Sequence, residues 1–303
     1  MAVEPETYKA CYNFMQSEQI NPVIIIGAGR SGTNILRDVL TSFPGMGTWP
    51  CDEINYIWRH GNKEFPTDEF DASMASPQVR DYIRNQFRKI KQKYNFSQII
   101  EKTCANSLRV GFVDAVVPEA KYIVIVRDGR DVVASALKRW SAPLDIPYIM
   151  RKARFIPPSD VPYYAFRYLG NRAYRLVSRE KRLSTWGPRF EDMEKMLENR
   201  SLPEVCARQW ERCVNRAEAE LFEFGQDKVF FVYYEDFVRN PSVVLQDLEA
   251  FLNTSFDRKI VQRAVENVTP DTIGKWKTEL TSETLDNIMP YISETLERQG
   301  YHV

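Results

Sequence analysis

Residues 23–33 read VIIIGAGRSGT, an apolar run that passes straight into a glycine-rich turn. The run predicts a buried strand. In the turn, Gly27, Gly29 and Gly32 let backbone N–H groups converge on an anion, and the helix expected next adds the positive end of its dipole. The chain is therefore organised around a strand, a phosphate-binding turn and a helix. The spacing of Gly27 and Gly32 matches the start of a nucleoside-triphosphatase loop, which then requires Lys followed by Ser or Thr. Here those places hold Thr33 and Asn34, so triphosphate hydrolysis loses two of its working parts. The nearest cation is Arg30, inside the turn. A dinucleotide fingerprint is met no better, because the acidic ribose partner about twenty residues on is only loosely supplied by Asp52 or Glu53.

Further short apolar runs fall at 98–100, 122–126 and 229–233, and helical patterns follow them. Ile35, Leu36, Val39 and Leu40 form one apolar stripe, and Val132, Val133, Ala136 and Leu137 form another. Strands alternating with helices predict an α/β fold: a single domain over 1–303 with a central, mostly parallel sheet flanked by helices and ligands at the carboxyl ends of the strands. From 141 to 228 the alternation stops. That stretch reads as a helical insertion on the acceptor side, since no Gly/Ser linker marks a second domain. The tail from 240 to 303 reads as helical, with Pro241 in a first turn and Gly300 near a C-terminal end.

Lys plus Arg and Asp plus Glu both total 41, which gives no global field to attract nucleic acid; any anion site has to be local. The start of the chain lacks a leader pattern and no stretch approaches a membrane span, so a cytoplasmic protein is expected. Cys11, Cys51, Cys104, Cys206 and Cys213 are scattered and there are only two histidines, which predicts reduced thiols and no metal site. Cys206 and Cys213, seven apart, are expected on one buried helix face.

A second constellation lies in RDGRDVVASALKRW, residues 127–140. Arg127 ends a strand, while Ser135 and Arg139 share a face of the following helix. Together they would hold a second phosphate, although isolated arginines here could equally pair with Asp128 and Asp131. GRSGT, VRDGRDVVAS with Ser135 eight positions after Arg127, VYYEDFVRNP and GKWK together resemble the sulfotransferases that use 3′-phosphoadenosine 5′-phosphosulfate (PAPS), over most of the chain.

The resemblance implies a P-loop-like sulfotransferase fold and PAPS as sulfuryl donor, with no metal. It implies that Gly29, Arg30, Ser31, Gly32, Thr33 and Asn34 hold the 5′-phosphosulfate. Arg127 and Ser135, with Arg139, would hold the 3′-phosphate. Tyr234 would meet the adenine, though read alone it is as well explained as a core aromatic. Lys275, Trp276 and Lys277 would close over the nucleotide. Catalysis would rest on Arg30 and Lys102 as cations and, in the pattern of tyrosylprotein sulfotransferases, on Glu53 as base with Asp52 close behind. Cys104 stands where cytosolic members carry a histidine, and His60 is a further possible base.

The acceptor is expected to be the hydroxyl, ahead of an amine, of a carbohydrate or small molecule. Tyr148, Phe155, Tyr163, Tyr164 and Trp186 could stack on its rings or sit in the core, and the basic clusters at 151–154 and 179–182 could meet an acidic one. A kinase of altered motif and an inactive nucleotide-binding protein are the competing readings.

Overall fold

The apolar runs pair side by side because the inner ones are buried on both faces, where a covered parallel sheet satisfies the backbone. In a computed structural model, which describes residues 20–142, 146–166, 169 and 186–303, five strands run in the order β2-β3-β1-β4-β5. They are β1 (Pro22–Ile26), β2 (Met46–Gly47), β3 (Gln98–Lys102), β4 (Lys121–Val126) and β5 (Val229–Tyr233), and every pairing is parallel. The central strand β1 sets Ile25 opposite Lys102 on one side and Ile26 opposite Val124 on the other. The chain thus leaves β1 toward one edge, returns, and continues on the other side, which puts the crevice for a ligand at the carboxyl end of β1.

Side chains of β1 alternate between two cores, as the period of two requires. Val23 and Ile25 pack with α1 (Thr33–Leu40), while Ile24 and Ile26 pack beneath α2 (Pro77–Tyr94) and α3 (Val110–Val116). The α2 helix starts on a Ser76 cap with Pro77 in its first turn and ends on Asn95 at φ 54°, a left-handed residue that tolerates the turn.

A third core gathers α4 (Gly129–Trp140), which follows β4, with α6 (Leu202–Leu221). Between them α5 spans Ile146–Ala153, and no strand occurs among the described residues of 141–228. Cys206 and Cys213 are both buried in this core, on one face of α6, as their spacing predicts. The described cysteines are free thiols. Beyond β5 come α7 (Pro241–Leu252), α8 (Trp276–Glu279) and α9 (Ser282–Arg298), with Gly300 closing the last at φ 79°.

The differences from the sequence reading are local. β2 pairs only Met46 and Gly47 with β3, too short a run for any periodicity to reveal. β3 continues two residues past the apolar run, so Lys102 is itself a strand residue. Cys11 and the 179–182 cluster lie outside the described residues, as does the side chain of Tyr148.

Candidate active site

The turn after β1 is held by its own backbone and by Ser107: Ser31 N–H donates to the Ala28 carbonyl at 3.1 Å and Gly27 N–H to Ser107 Oγ at 3.0 Å. Gly32 caps α1 at φ 91°, and Arg30 sits at φ 77°, the left-handed region that a residue with a Cβ avoids. That conformation sends the Arg30 side chain to Ser135, with Nε donating to Oγ at 2.9 Å. Arg139 is near enough that partial burial and then its like charge lower the Arg30 pKa.

Arg127, leaving the end of β4, ties three pieces together. One guanidinium nitrogen donates to the Arg30 carbonyl at 3.2 Å and the other to the Thr272 carbonyl at 2.6 Å. Its plane lies 4.3 Å from the ring centroid of Tyr234, whose hydroxyl meets Thr272 Oγ1 at 2.6 Å. Asp131 stands 3.7 Å from Arg127. The same carboxylate accepts the Gly274 and Trp276 amides at 2.7 and 2.9 Å, so it anchors the late segment to α4.

These groups surround a cavity of about 410 Å³, within the range of small-molecule sites. The turn and α1 contribute Arg30, Gly32, Thr33 and Asn34; β4 and α4 contribute Arg127 and Ser135; Tyr234 and Lys275 are the other predicted nucleotide-binding residues on its wall, while Ser31 and Arg139 are not among its lining. Two buried polar atoms here have no partner, Ser31 Oγ and Arg127 Nε. Such groups are costly to bury unsatisfied, and both suit an anionic ligand.

A second cluster forms at the end of β3. Lys102, only 3% exposed, places Nζ 3.1 Å from Asp52 Oδ1 and 3.1 Å from Glu53 Oε1. Arg37 also holds Asp52, at 2.9 Å, and Lys152 of α5 reaches Glu53 Oε2 at 3.5 Å. The Cys104 amide donates to Glu53 at 3.3 Å, and its thiol touches Thr33 Oγ1 at 3.6 Å, which joins this cluster to the first turn.

Burial opposes the Glu53 charge, but Lys102 and then Lys152 outweigh it and hold the carboxyl well below the usual range. Burial likewise opposes the Asp52 charge, and Lys102 again leads the groups that lower its pKa. Lys102 is shifted up, with Glu53 overcoming the effect of burial. Cys104 is pushed up to about 12, by burial first and then by Glu53, so it stays a neutral thiol and cannot take the proton a histidine would.

A family model described as the sulfotransferase family matches residues 22–154 and 171–258. The chain belongs to that family. Solved structures agree in fold. The sulfotransferase domain from the curacin biosynthetic pathway is 15% identical, with a TM-score of 0.54 over 93% of this chain and 98% of that one. Sulfotransferase STF9 from Mycobacterium avium is 12% identical, with a TM-score of 0.52 over 98% and 82%. Mouse sulfotransferase SULT7A1 complexed with PAP is 12% identical, with a TM-score of 0.50 over 93% and 89%. No curated protein matches the sequence significantly.

In this sulfotransferase the remaining predicted residues fall outside the cavity lining. Gly29 carries no side chain, and a Cβ there would come 3.4 Å from Trp186, one of the aromatics considered for the acceptor, which packs on the turn. Trp276 stacks on Arg130 at 4.3 Å rather than facing the cavity, and Lys277 lies beside the Trp276 ring. His60 is bound to Asp160 at 2.8 Å and lines a different cavity, with Lys63.

Three contributors escaped the sequence reading: Thr272, Asp131 as an anchor, and Lys152. Of these only Lys152 lies in a segment the sequence marks, the basic 151–154 cluster, and that pattern points to solvent rather than to a carboxylate.

Gly32 has no room for a side chain, because a Cβ would stand 2.3 Å from the Tyr234 ring. Gly32→Ala combines that overlap with a left-handed backbone and is expected to cost about 2–3 kcal/mol in urea unfolding. A loss under about 0.5 kcal/mol, the usual size for an unconstrained surface change, would mean the ring moves aside freely.

Proposed function

We propose that this sulfotransferase moves the sulfuryl group of PAPS onto a hydroxyl, ahead of an amine, of a carbohydrate or other small molecule. What carries the reading is two groupings with one unsatisfied buried polar atom each, the glycine-rich turn with Ser31 Oγ and the end of β4 with Arg127 Nε, beside a cavity where Arg30 donates to Ser135. A nucleotide phosphorylated at both its 3′ and 5′ positions matches two such groupings, and a triphosphate matches one. When bound, PAPS supplies the activated sulfuryl group.

The protein's part is to position and to stabilise. Arg127 and Ser135 take the 3′-phosphate, with Arg139 behind Ser135, while the turn amides, Thr33 and Asn34 take the 5′ end. Tyr234, its ring fixed by Arg127 and by Thr272, offers a face to the base. Lys275 is a further cation on the cavity wall, in a segment that Asp131 fixes through the Gly274 and Trp276 amides, and Trp276 and Lys277 close that segment over the nucleotide. Arg30 and Lys102 face the charge that builds on the departing phosphate.

Glu53, or Asp52 beside it, accepts the acceptor's proton. Both are ionised, as a base must be, yet their lysine partners weaken them as bases. The described free thiols fit a reducing compartment, and we place the protein in the cytoplasm. No helix among the described residues is long and apolar enough to cross a membrane.

Calorimetry tests the donor. Adenosine 3′,5′-bisphosphate is expected to bind more tightly than magnesium ATP, and Arg127→Ala to weaken it about 10- to 100-fold, the worth of a charge-assisted contact. Tighter binding of magnesium ATP would instead support a kinase. Incubation with PAPS and a panel of sugars, phenols and lipids, read by mass spectrometry, then identifies the acceptor.

A further inference from the structure

Glu53 is held from two directions by side chains that differ in burial and in distance. Lys102 belongs to β3, is paired into the sheet beside β1 and has a side chain only 2% exposed. Lys152 arrives from α5, outside the sheet, with a side chain 18% exposed and the longest of the contacts to the carboxylate, at 3.5 Å. An incoming acceptor must approach this carboxylate to surrender its proton, and Lys152 is the cation it can displace. While both ammoniums are in contact, Glu53 is a poor proton acceptor, because stabilising a carboxylate's charge lowers its basicity. Something has to draw Lys152 away, and a neutral hydroxyl offers an ammonium a hydrogen bond but no counter-charge to replace the carboxylate. A second anion does. Arg151 and Arg154, exposed beside Lys152, extend the positive surface in the same place.

We propose that Lys152 is a specificity-determining residue that selects an acceptor carrying an anionic group, a carboxylate or a phosphate, near its reacting hydroxyl. The anionic group takes the Lys152 ammonium from Glu53 Oε2, and that oxygen then receives the hydroxyl proton as the hydroxyl oxygen bonds to sulfur and the S–O bond to the nucleotide phosphate breaks. Glu53 is left as the protonated acid and the electron pair of the broken bond stays on the phosphate. The inference rests on the sulfotransferase reading and adds the class of acceptor to it.

The test uses the full-length protein in two steps. Binding of adenosine 3′,5′-bisphosphate is measured first, for the wild type, Lys152→Ala and Lys152→Arg. Initial rates with PAPS follow, on matched acceptors: 4-hydroxybenzoate against phenol, glucuronate against glucose, and glycerol 3-phosphate against glycerol.

In at least one pair the wild type is expected to favour the anionic member by about tenfold or more in kcat/KM, the scale of one charge-assisted contact. Lys152→Ala is expected to collapse that ratio toward one through KM of the anionic member, and Lys152→Arg to retain most of it. A wild-type preference for the neutral members, a ratio that survives Lys152→Ala, or no sulfated product from any anionic acceptor while the bisphosphate binds would each overturn the inference alone. If the wild type does not bind the bisphosphate, the sulfotransferase reading falls and the inference with it.

Discussion

Replacing Arg30 with glycine is expected to lower the rate of PAPS turnover by about 10²- to 10³-fold, the usual loss when one preorganised group facing developing charge is removed. The same substitution is expected to leave unfolding stability unchanged to within about 1 kcal/mol, because glycine adopts φ 77° without strain and this gain offsets its greater freedom in the unfolded chain. Arginine is an odd choice for a left-handed position, where a residue with a Cβ gives up about 1–2 kcal/mol. A conformation of this kind persists where the surroundings enforce it, commonly at a working site.

Here the enforcing contacts are visible: Ser135 on the side chain and Arg127 on the carbonyl. Arg30→Ala separates the two effects. It loses the guanidinium as Arg30→Gly does, but keeps the strain, and should be the less stable of the two by about 1 kcal/mol. Thermal unfolding alongside the rate of nucleotide product formation measures both. Full turnover in either variant would remove Arg30 from the chemistry.

Asp68→Ala is expected to destabilise the fold by about 3–5 kcal/mol, the cost of leaving buried charge without its counter-charge. Asp68 accepts from Arg59 at 2.7 Å and from Arg109 at 3.5 Å, and the Arg189 amide adds a bond at 2.8 Å. Arg109 is wholly buried, and burial pulls its pKa down to about 10 even with Asp68 supporting its charge. Without the carboxylate, two guanidiniums would face each other in the core. Since domains are stable by only about 5–15 kcal/mol, much of the margin would vanish, which urea titration at neutral pH would register directly. A loss below about 1 kcal/mol, ordinary for a single substitution, would show that water reaches the two arginines.

This ion pair also marks where sequence reading stops. Asp68 and Arg109 lie 41 positions apart and look like any solvated charges; only the fold brings them together. The strands were legible because burial on both faces demands unbroken apolar runs, and residues 23–26 and 122–126 show such runs. The turn was legible because its glycines answer to backbone geometry. The groupings around Arg127 and Ser135 could be read from the helical period plus the resemblance, and they do meet around one cavity with Arg30 and Tyr234.

The anchoring of the late segment could not be read. Asp131 and Gly274 are 143 positions apart, and in the sequence Asp131 was an obvious partner for a neighbouring arginine. Lys152 was hidden for a related reason: a basic cluster usually faces water, and nothing local reveals that one of its members turns inward to a carboxylate. Glu101 is similar. It reads as a strand-end charge, yet Thr103 and Asn106 donate to it in the interior, and burial pushes it up to about 7.

The tie between Asp131 and the amides of Gly274 and Trp276 bears on timing. Thr272, Lys275 and Glu279 form one wall of the cavity, and Lys138 reaches across from α4 to pair with Glu279. On the proposed function a spent nucleotide leaves past a wall latched at both ends, and its residence time is expected to follow how often the latch lets go. The exposed half of that latch, Lys138 with Glu279, weakens as ionic strength rises, whereas the sheltered half at Asp131 does not. Release of the nucleotide is therefore expected to quicken as ionic strength rises, through a contact on α4 that never meets the reacting sulfur.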